Sequence, residues 1–165
     1  MKNNFYHPLM YDNITLQDRK VAANFLLKNN VFTQSKKVKE FENKWSKWLG
    51  VKYSVFVNSG SSANLITMLA LKILKGNGEV IVPTLTWISD IASVIQNGFK
   101  PVFVDINPTN LCMNEEDIIK NINGKTKAVF MSHIQGFNGL SSNLLKFLKK
   151  KKIELIEDVC ESHGA

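Results

Sequence analysis

Three short stretches of this chain carry the residue types that could do chemistry. The first is Val55-Phe56-Val57-Asn58-Ser59-Gly60-Ser61-Ser62-Ala63-Asn64-Leu65. An apolar run ends at Asn58, small residues follow, and the periodic apolar positions Leu65, Met68, Leu69, Leu71 and Ile73 predict a helix. A strand that turns through Gly and Ser into a helix start gathers free backbone N–H groups, hydroxyls and the positive end of a helix dipole. That combination suits an anion, and phosphate above others. Ser is also a favoured N-cap residue, so an ordinary capped helix start is the competing reading.

The second stretch is Val80-Ile81-Val82-Pro83-Thr84-Leu85-Thr86-Trp87. A Trp just past a strand end either offers a flat face to an aromatic ligand or packs between helix and sheet; stacking would add about 0.5–1.5 kcal/mol beyond burial. The third is Ile153-Glu154-Leu155-Ile156-Glu157-Asp158. Carboxylates at the end of an apolar strand are costly without a partner, and alternation sends Glu157 and Asp158 to opposite sides. Metal ligation would need further ligands, and His133 and His163 have no metal-motif spacing. A protonated ring nitrogen is the more economical partner. Ligands of open α/β sheets collect beyond the carboxyl ends of the strands. Together the three ends describe a site for a flat, phosphorylated, nitrogen-containing ring. Pyridoxal phosphate has these parts, and a carboxylate at its ring nitrogen keeps it an electron sink.

The elements that must position these residues follow a regular rhythm. A helix is predicted from Thr15 to Leu27, with Thr15 as N-cap and Asp18 in the capping-box position. A second carries Val38, Phe41, Trp45, Trp48 and Leu49 on one face and stops at Gly50. Strands are expected at Tyr53–Val57, Glu79–Val82, Pro101–Val104, Ala128–Ser132 and Ile153–Ile156. Helices between them span Ser62–Leu74, Trp87–Gln96, Asn114–Ile122 and Asn143–Lys151. Short apolar strands alternating with amphipathic helices indicate an α/β fold with a mostly parallel sheet and helices on both faces. The expected organisation is an N-terminal helical segment over 1–50 and an α/β domain over 51–165.

Bulk properties narrow the class. The 165 residues are 44% hydrophobic, ordinary for a globular domain. No apolar run approaches a membrane span and no signal-peptide core follows Met1, so a cytoplasmic protein without membrane partners is expected. Cys112 and Cys160 form neither a metal motif nor a disulfide framework. The net charge of +7 invites a nucleic-acid reading, but Arg19 is the sole arginine and specific readers favour Arg. The run Lys149-Lys150-Lys151-Lys152 closes a predicted helix, where cations complement the dipole. No nucleic-acid partner is expected.

Asn58-Ser59-Gly60-Ser61-Ser62-Ala63, Val80-Ile81-Val82-Pro83 with Thr86-Trp87, Pro101-Val102-Phe103-Val104-Asp105, Thr126-Lys127-Ala128 and Ile156-Glu157-Asp158 occur in order. From about Phe32 to Ala165 this set resembles the N-terminal part of the DegT/DnrJ/EryC1/StrS family, close to its 4-keto-6-deoxyhexose 3-dehydratase branch. The resemblance implies an aspartate-aminotransferase-like (type I pyridoxal-phosphate) large domain, here truncated, with the small C-terminal domain absent. It implies an aminotransferase of nucleotide-linked keto sugars in surface polysaccharide biosynthesis, lipopolysaccharide included. The cofactor would be pyridoxal 5'-phosphate or pyridoxamine 5'-phosphate, the amino donor glutamate or a similar amino acid, and the complete protein a homodimer.

By the same resemblance Ser61 and Ser62 would bind the cofactor phosphate, Trp87 would stack on the ring and Asp158 would pair with its nitrogen. Glu161 stands near the cofactor hydroxyl where many relatives have Gln or His. His133 matches a strand-end His that orders loops. The Schiff-base lysine, or the histidine that replaces it in the dehydratases, would lie beyond Ala165. The catalytic residue is therefore outside this sequence, and the truncated chain is expected to be inactive alone. A non-catalytic phosphate- or nucleotide-binding α/β module is the alternative from another class, although no G-x-G-x-x-G or Walker sequence supports it.

Overall fold

The computed structural model describes residues 12–164; residues 1–11 of the expected N-terminal segment lie outside them. The chain divides into two compact units, 1–56 and 57–165.

Within the first unit, α1 (Leu16–Lys28) begins in a capping box. Thr15 Oγ1 accepts from the Asp18 N–H at 3.2 Å, and Asp18 Oδ2 accepts from the Thr15 N–H at 2.9 Å. Helix α2 (Lys36–Leu49) is capped by Ser35 and ends at Gly50, whose φ of 74° is the left-handed conformation that favours glycine. The rings of Phe41 and Trp45 stack at 5.7 Å along its apolar face.

The strand expected at Tyr53–Val57 does not form among the described residues: the segment joins no ladder. Its groups turn to α2 instead. The Phe56 N–H donates to Glu42 Oε1 at 3.1 Å, Ser46 Oγ donates to Ser54 Oγ at 2.8 Å, and the Phe56 ring meets Phe41 edge-on. An apolar run is necessary for a buried strand, but a ladder also needs a neighbour with free backbone groups.

The second unit is built on four parallel strands, β1 (Glu79–Pro83), β2 (Lys100–Val104), β3 (Thr126–Ser132) and β4 (Glu154–Asp158), in the order β2-β1-β3-β4. The central strands β1 and β3 are almost wholly buried, as continuous apolar runs require. Alternation divides the core into two layers. Ile81, Val129 and Met131 face α5 (Glu115–Asn121) and α6 (Ser142–Lys151) through Ile118, Leu144 and Leu148. Val80, Val82, Ala128 and Phe130 face α3 (Gly60–Lys75) and α4 (Ile88–Gln96) through Met68, Leu71 and Val94. Phe130 is fully buried, and cutting it to Ala would cost about 3–5 kcal/mol. Helices therefore cover both faces of a parallel sheet. The α5 and α6 starts are capped as their sequences indicate: Asn114 accepts from Glu116 and Asp117, Ser141 from Leu144.

This strand order has one feature that fixes where a ligand goes. The chain leaves β1 for β2 on one side and returns to β3 on the other, so the direction of winding reverses between β1 and β3. At the carboxyl ends of that pair the two connections diverge and open a crevice.

Candidate functional site

The crevice holds a cavity of about 210 Å³. The connection after β1 supplies Thr86 and Trp87 to it, the end of β3 supplies Ser132 and His133, and the end of β4 supplies Asp158 with Cys160 and Glu161 just beyond. Three of the five residues singled out for the cofactor thus meet in one place: Trp87, Asp158 and Glu161. Among the described residues no Lys or Arg lines the cavity.

Trp87 is the N-cap residue of α4, with φ −73° and ψ 140°, and its side chain makes no capping bond. It is 70% exposed, so it is not the helix–sheet core residue that its apolar context also allowed. An indole held at a crevice rim by the start of a helix is free to cover a flat ligand.

Asp158 ends β4. Its Oδ1 accepts from the Cys160 N–H at 3.0 Å, and its Oδ2 lies 3.4 Å from the Asn64 amide nitrogen. Burial works against its charge. The backbone and thiol of Cys160, the Asn64 amide and the Asp90 carboxyl outweigh that and hold Asp158 below the ordinary carboxylate range. The carboxylate is therefore ionised where it faces the cavity. Glu157 points the other way, as alternation requires, and its Oε2 sits 2.9 Å from His133 Nε2.

His133 is buried and doubly engaged. Its Nδ1 accepts from the Gly139 N–H at 3.3 Å, so the proton of the neutral ring lies on Nε2, toward Glu157. Its own N–H donates to the Asp158 carbonyl at 3.1 Å. These bonds tie the loop after β3 to the end of β4, the loop-ordering part that its position suggested. Glu161 does related work. Its Oε2 accepts from the Gln135 N–H at 2.7 Å, and Gln135 holds a left-handed φ of 52° in the short turn Ile134–Gly136. The Glu161 carboxylate, where the resemblance implies Gln or His, is thus bonded to a backbone turn at the cavity wall.

Ser61 and Ser62 are not in the cavity wall; they stand on the first turn of α3. The N-cap there is Ser59, whose Oγ accepts from the Ser62 N–H at 3.2 Å. The Ser62 donor is consequently taken, and the N–H groups of Gly60 and Ser61 make no hydrogen bond among the described residues. Asn64 joins this turn to the cavity. It stands three residues beyond Ser61 on the same helix face, and its amide reaches both Asp90 and Asp158, at 2.7 and 3.4 Å.

Sequence reasoning singles out neither Asp90 nor Ser132, yet both lie at the centre. Asp90 is 1% exposed. Its Oδ2 accepts from the hydroxyls of Thr86 and of Ser132 (2.7 Å), and its Oδ1 from Asn64 and, more weakly, Ser89. A signal was available: Asp90 shares the buried stripe of α4 with Ser93 and Val94, at spacings of three and four. A carboxylate on the core side of an apolar helix requires partners, and the partners are the site.

Among the described residues no group of His, Cys, Asp and Glu is arranged to hold a metal ion.

Comparison with known proteins extends the picture from the site to the chain. Residues 14–165 match the model of the DegT/DnrJ/EryC1/StrS aminotransferase family. The chain is 35% identical over 150 residues to the GDP-4-keto-6-deoxy-D-mannose 3-dehydratase of Yersinia pseudotuberculosis, covering 87% of this chain and 38% of that protein. It is 30% identical over 160 residues to the GDP-perosamine synthase of Escherichia coli O157:H7, covering 97% and 44%. The structure of Escherichia coli GDP-4-keto-6-deoxy-D-mannose-3-dehydratase with bound hydrated PLP superposes with a TM-score of 0.88 at 31% identity, over 97% of this chain and 42% of that one. The chain spans about two fifths of the length of these relatives. The switch-point crevice, its aspartate and its tryptophan are thus set in a fold shared along nearly the whole chain, which belongs to the DegT/DnrJ/EryC1/StrS aminotransferase family.

Proposed function

We propose that this chain is the cofactor-binding part of a pyridoxal-phosphate-dependent aminotransferase acting on nucleotide-linked keto sugars. The observation that carries the reading is the Asp158 carboxyl at the switch-point crevice, beside an exposed indole and linked through Asn64 to the first turn of α3. These residues fit the cofactor's three chemical parts. The free Gly60 and Ser61 N–H groups and the Ser61 and Ser62 hydroxyls suit a phosphate. Trp87 suits a ring face, and Asp158 suits a protonated ring nitrogen. When bound, the cofactor would supply an electron sink for bond breaking next to an amine.

The chain's own residues perform the holding. Asp158 would keep a proton on the ring nitrogen by charge, and Cys160 and Asn64 donate to Asp158 and favour its carboxylate form. Glu161 fixes the Gln135 turn and His133 the loop to Gly139, so the cavity wall is shaped before a ligand arrives. Trp87 excludes water from one face. We place the sugar and amino-donor contacts, the catalytic lysine and the second domain outside this segment, and read the complete protein as a cytoplasmic homodimer serving surface polysaccharide synthesis, with glutamate as donor. No helix of the described residues is long and apolar enough to cross a membrane.

A second reading has its own support: the 35% identity to the Yersinia 3-dehydratase and the 0.88 superposition on the Escherichia coli one favour a pyridoxamine-phosphate-dependent 3-dehydratase. One experiment tests both. The full-length protein is given pyridoxal phosphate, glutamate and a nucleotide-linked 4-keto-6-deoxy sugar. An amino sugar as product supports the first reading; loss of the 3-hydroxyl supports the second. No cofactor absorption band and no affinity for either form of the cofactor would remove both.

A further inference from the structure

Asp90 is the most deeply buried ionisable group around the crevice, and cofactor binding as described above has no use for it. Three elements besides its own helix converge on it: α3 through Asn64, the β1–α4 connection through Thr86, and β3 through Ser132. None brings a positive charge. The titratable groups that face it are Asp158 on β4, with Cys160 and Glu161 beyond it, and His133 after β3, whose Nε2 is directed to Glu157. A buried carboxyl beside a second carboxylate, without a cation, cannot ionise freely.

The hydrogen count points the same way. Asp90 Oδ2, Thr86 Oγ1 and Ser132 Oγ make three mutual contacts, the last two oxygens lying 2.6 Å apart. The two hydroxyls bring two hydrogens for three contacts. With both hydroxyls donating to Oδ2 their own contact has none; a proton on Asp90, donated to one hydroxyl that then donates to the other, supplies the third. Asp158 has different surroundings: besides the Asp90 carboxyl, its oxygens meet the Cys160 N–H and thiol and the Asn64 amide, all donors. Asn64 then bridges an acid and a carboxylate with one amide group. Burial raises Asp90 against the opposing effect of the Thr86 and Ser132 hydroxyls, and the neighbouring Asp158 carboxyl adds to the rise, while Asp158 is lowered.

We propose that Asp90 is a positioning residue, the proton-holding member of a carboxyl pair whose single negative charge is kept on Asp158, facing the crevice. Through Asn64 it also fixes the first turn of α3 relative to that charge. The benefit to a ring nitrogen rests on the function proposed above; the location of the proton does not.

The test is infrared spectroscopy of the full-length protein freed of cofactor, from about pH 3 to pH 8, the range in which protein carboxyls titrate. One carboxyl carbonyl band should persist above the ordinary carboxylate range and be missing from Asp90→Asn. In Asp158→Asn it should remain, with its midpoint lowered because the like charge is gone. A parent protein with no late-titrating carboxyl overturns the proposal. So does a late band that disappears in Asp158→Asn. Should Asp90→Asn fail to fold, the parent and Asp158→Asn decide alone by the same two outcomes. Titrating the samples with pyridoxal phosphate separates the two ideas: a late Asp90 band without cofactor binding supports the proton assignment and removes the cofactor function.

Discussion

Cys160 makes the state of Asp158 measurable without any cofactor. Its thiol is exposed, yet its pKa is pushed up from 9.0 to about 11, first by burial and then by the hydrogen bond and charge of Asp158, with Glu161 and Asp90 adding to it. In Asp158→Asn the burial stays and the Asp158 contribution goes. A fall on the order of one pH unit follows. The sign is set by which form Asp158 favours: a carboxylate accepts from the thiol and repels the thiolate, so its removal favours the thiolate. At pH 8 the thiolate fraction would rise from roughly 0.1% to roughly 1%, about tenfold, and the alkylation rate with it. The assay is the pH dependence of iodoacetamide labelling, read at Cys160 by peptide mass. Cys112 is the internal control, because it is buried and its thiol is also raised by burial. Equal labelling rates in parent and variant from neutral to alkaline pH would refute the placement of the Asp158 carboxylate on the Cys160 thiol, and the cavity geometry built on it.

Other perturbations separate holding from folding. Trp87→Ala should change unfolding free energy by no more than about 0.5 kcal/mol, since the indole is mostly exposed, yet weaken pyridoxal phosphate binding about two- to tenfold through lost stacking; fluorescence titration and urea unfolding check the two halves. Ser59→Ala removes the acceptor of the Ser62 N–H and should cost about 1 kcal/mol in urea unfolding. Gly139→Ala would set a methyl 2.7 Å from both Cys112 Cβ and Met131 Sδ, and a loss of about 1–3 kcal/mol is expected in thermal or urea unfolding. Asp90→Asn has a pH-dependent sign. Because Asp90 is raised on folding, the stability it contributes is fully present below its unfolded value near 3.8 and is lost as pH climbs through its folded value. The variant should therefore gain stability relative to the parent between acid and neutral pH, and a difference that stays constant with pH in urea unfolding would contradict this.

The residues that could be read from sequence are those whose job is local. Thr15, Gly50 and Asn114 cap or stop helices through bonds to neighbours a few positions away, and their types announce it. The four ladder strands are legible because continuous apolar runs between amphipathic helices fit a sheet covered on both faces. Tyr53–Val57 has the same apolar character without a ladder partner among the described residues, and its register with another segment is information that no local window holds. Trp87 and Asp158 were legible as strand-end residues, but the sequence left open whether the indole meets a ligand or the core. Its 70% exposure removes the core reading, and that depends on how α4 starts.

Asp90 shows where reading by type and spacing stops. As a lone acidic residue in the first turn of α4 it passes for a dipole-matched surface charge, a role Asp18 does fill at the start of α1. What distinguishes the two is the helix face, because Asp90 is on the stripe that packs against the sheet. From there it collects Asn64 from 26 residues upstream and Ser132 from 42 downstream. Desolvation then makes a carboxyl that water would ionise into one that holds a proton, and that proton lets the adjacent Asp158 carry the charge alone. The residue whose sequence position advertises it thus depends on one that does not. A crevice at a strand-order reversal brings strand ends into contact, but the electrostatics there are completed from behind, by a helix that covers the sheet.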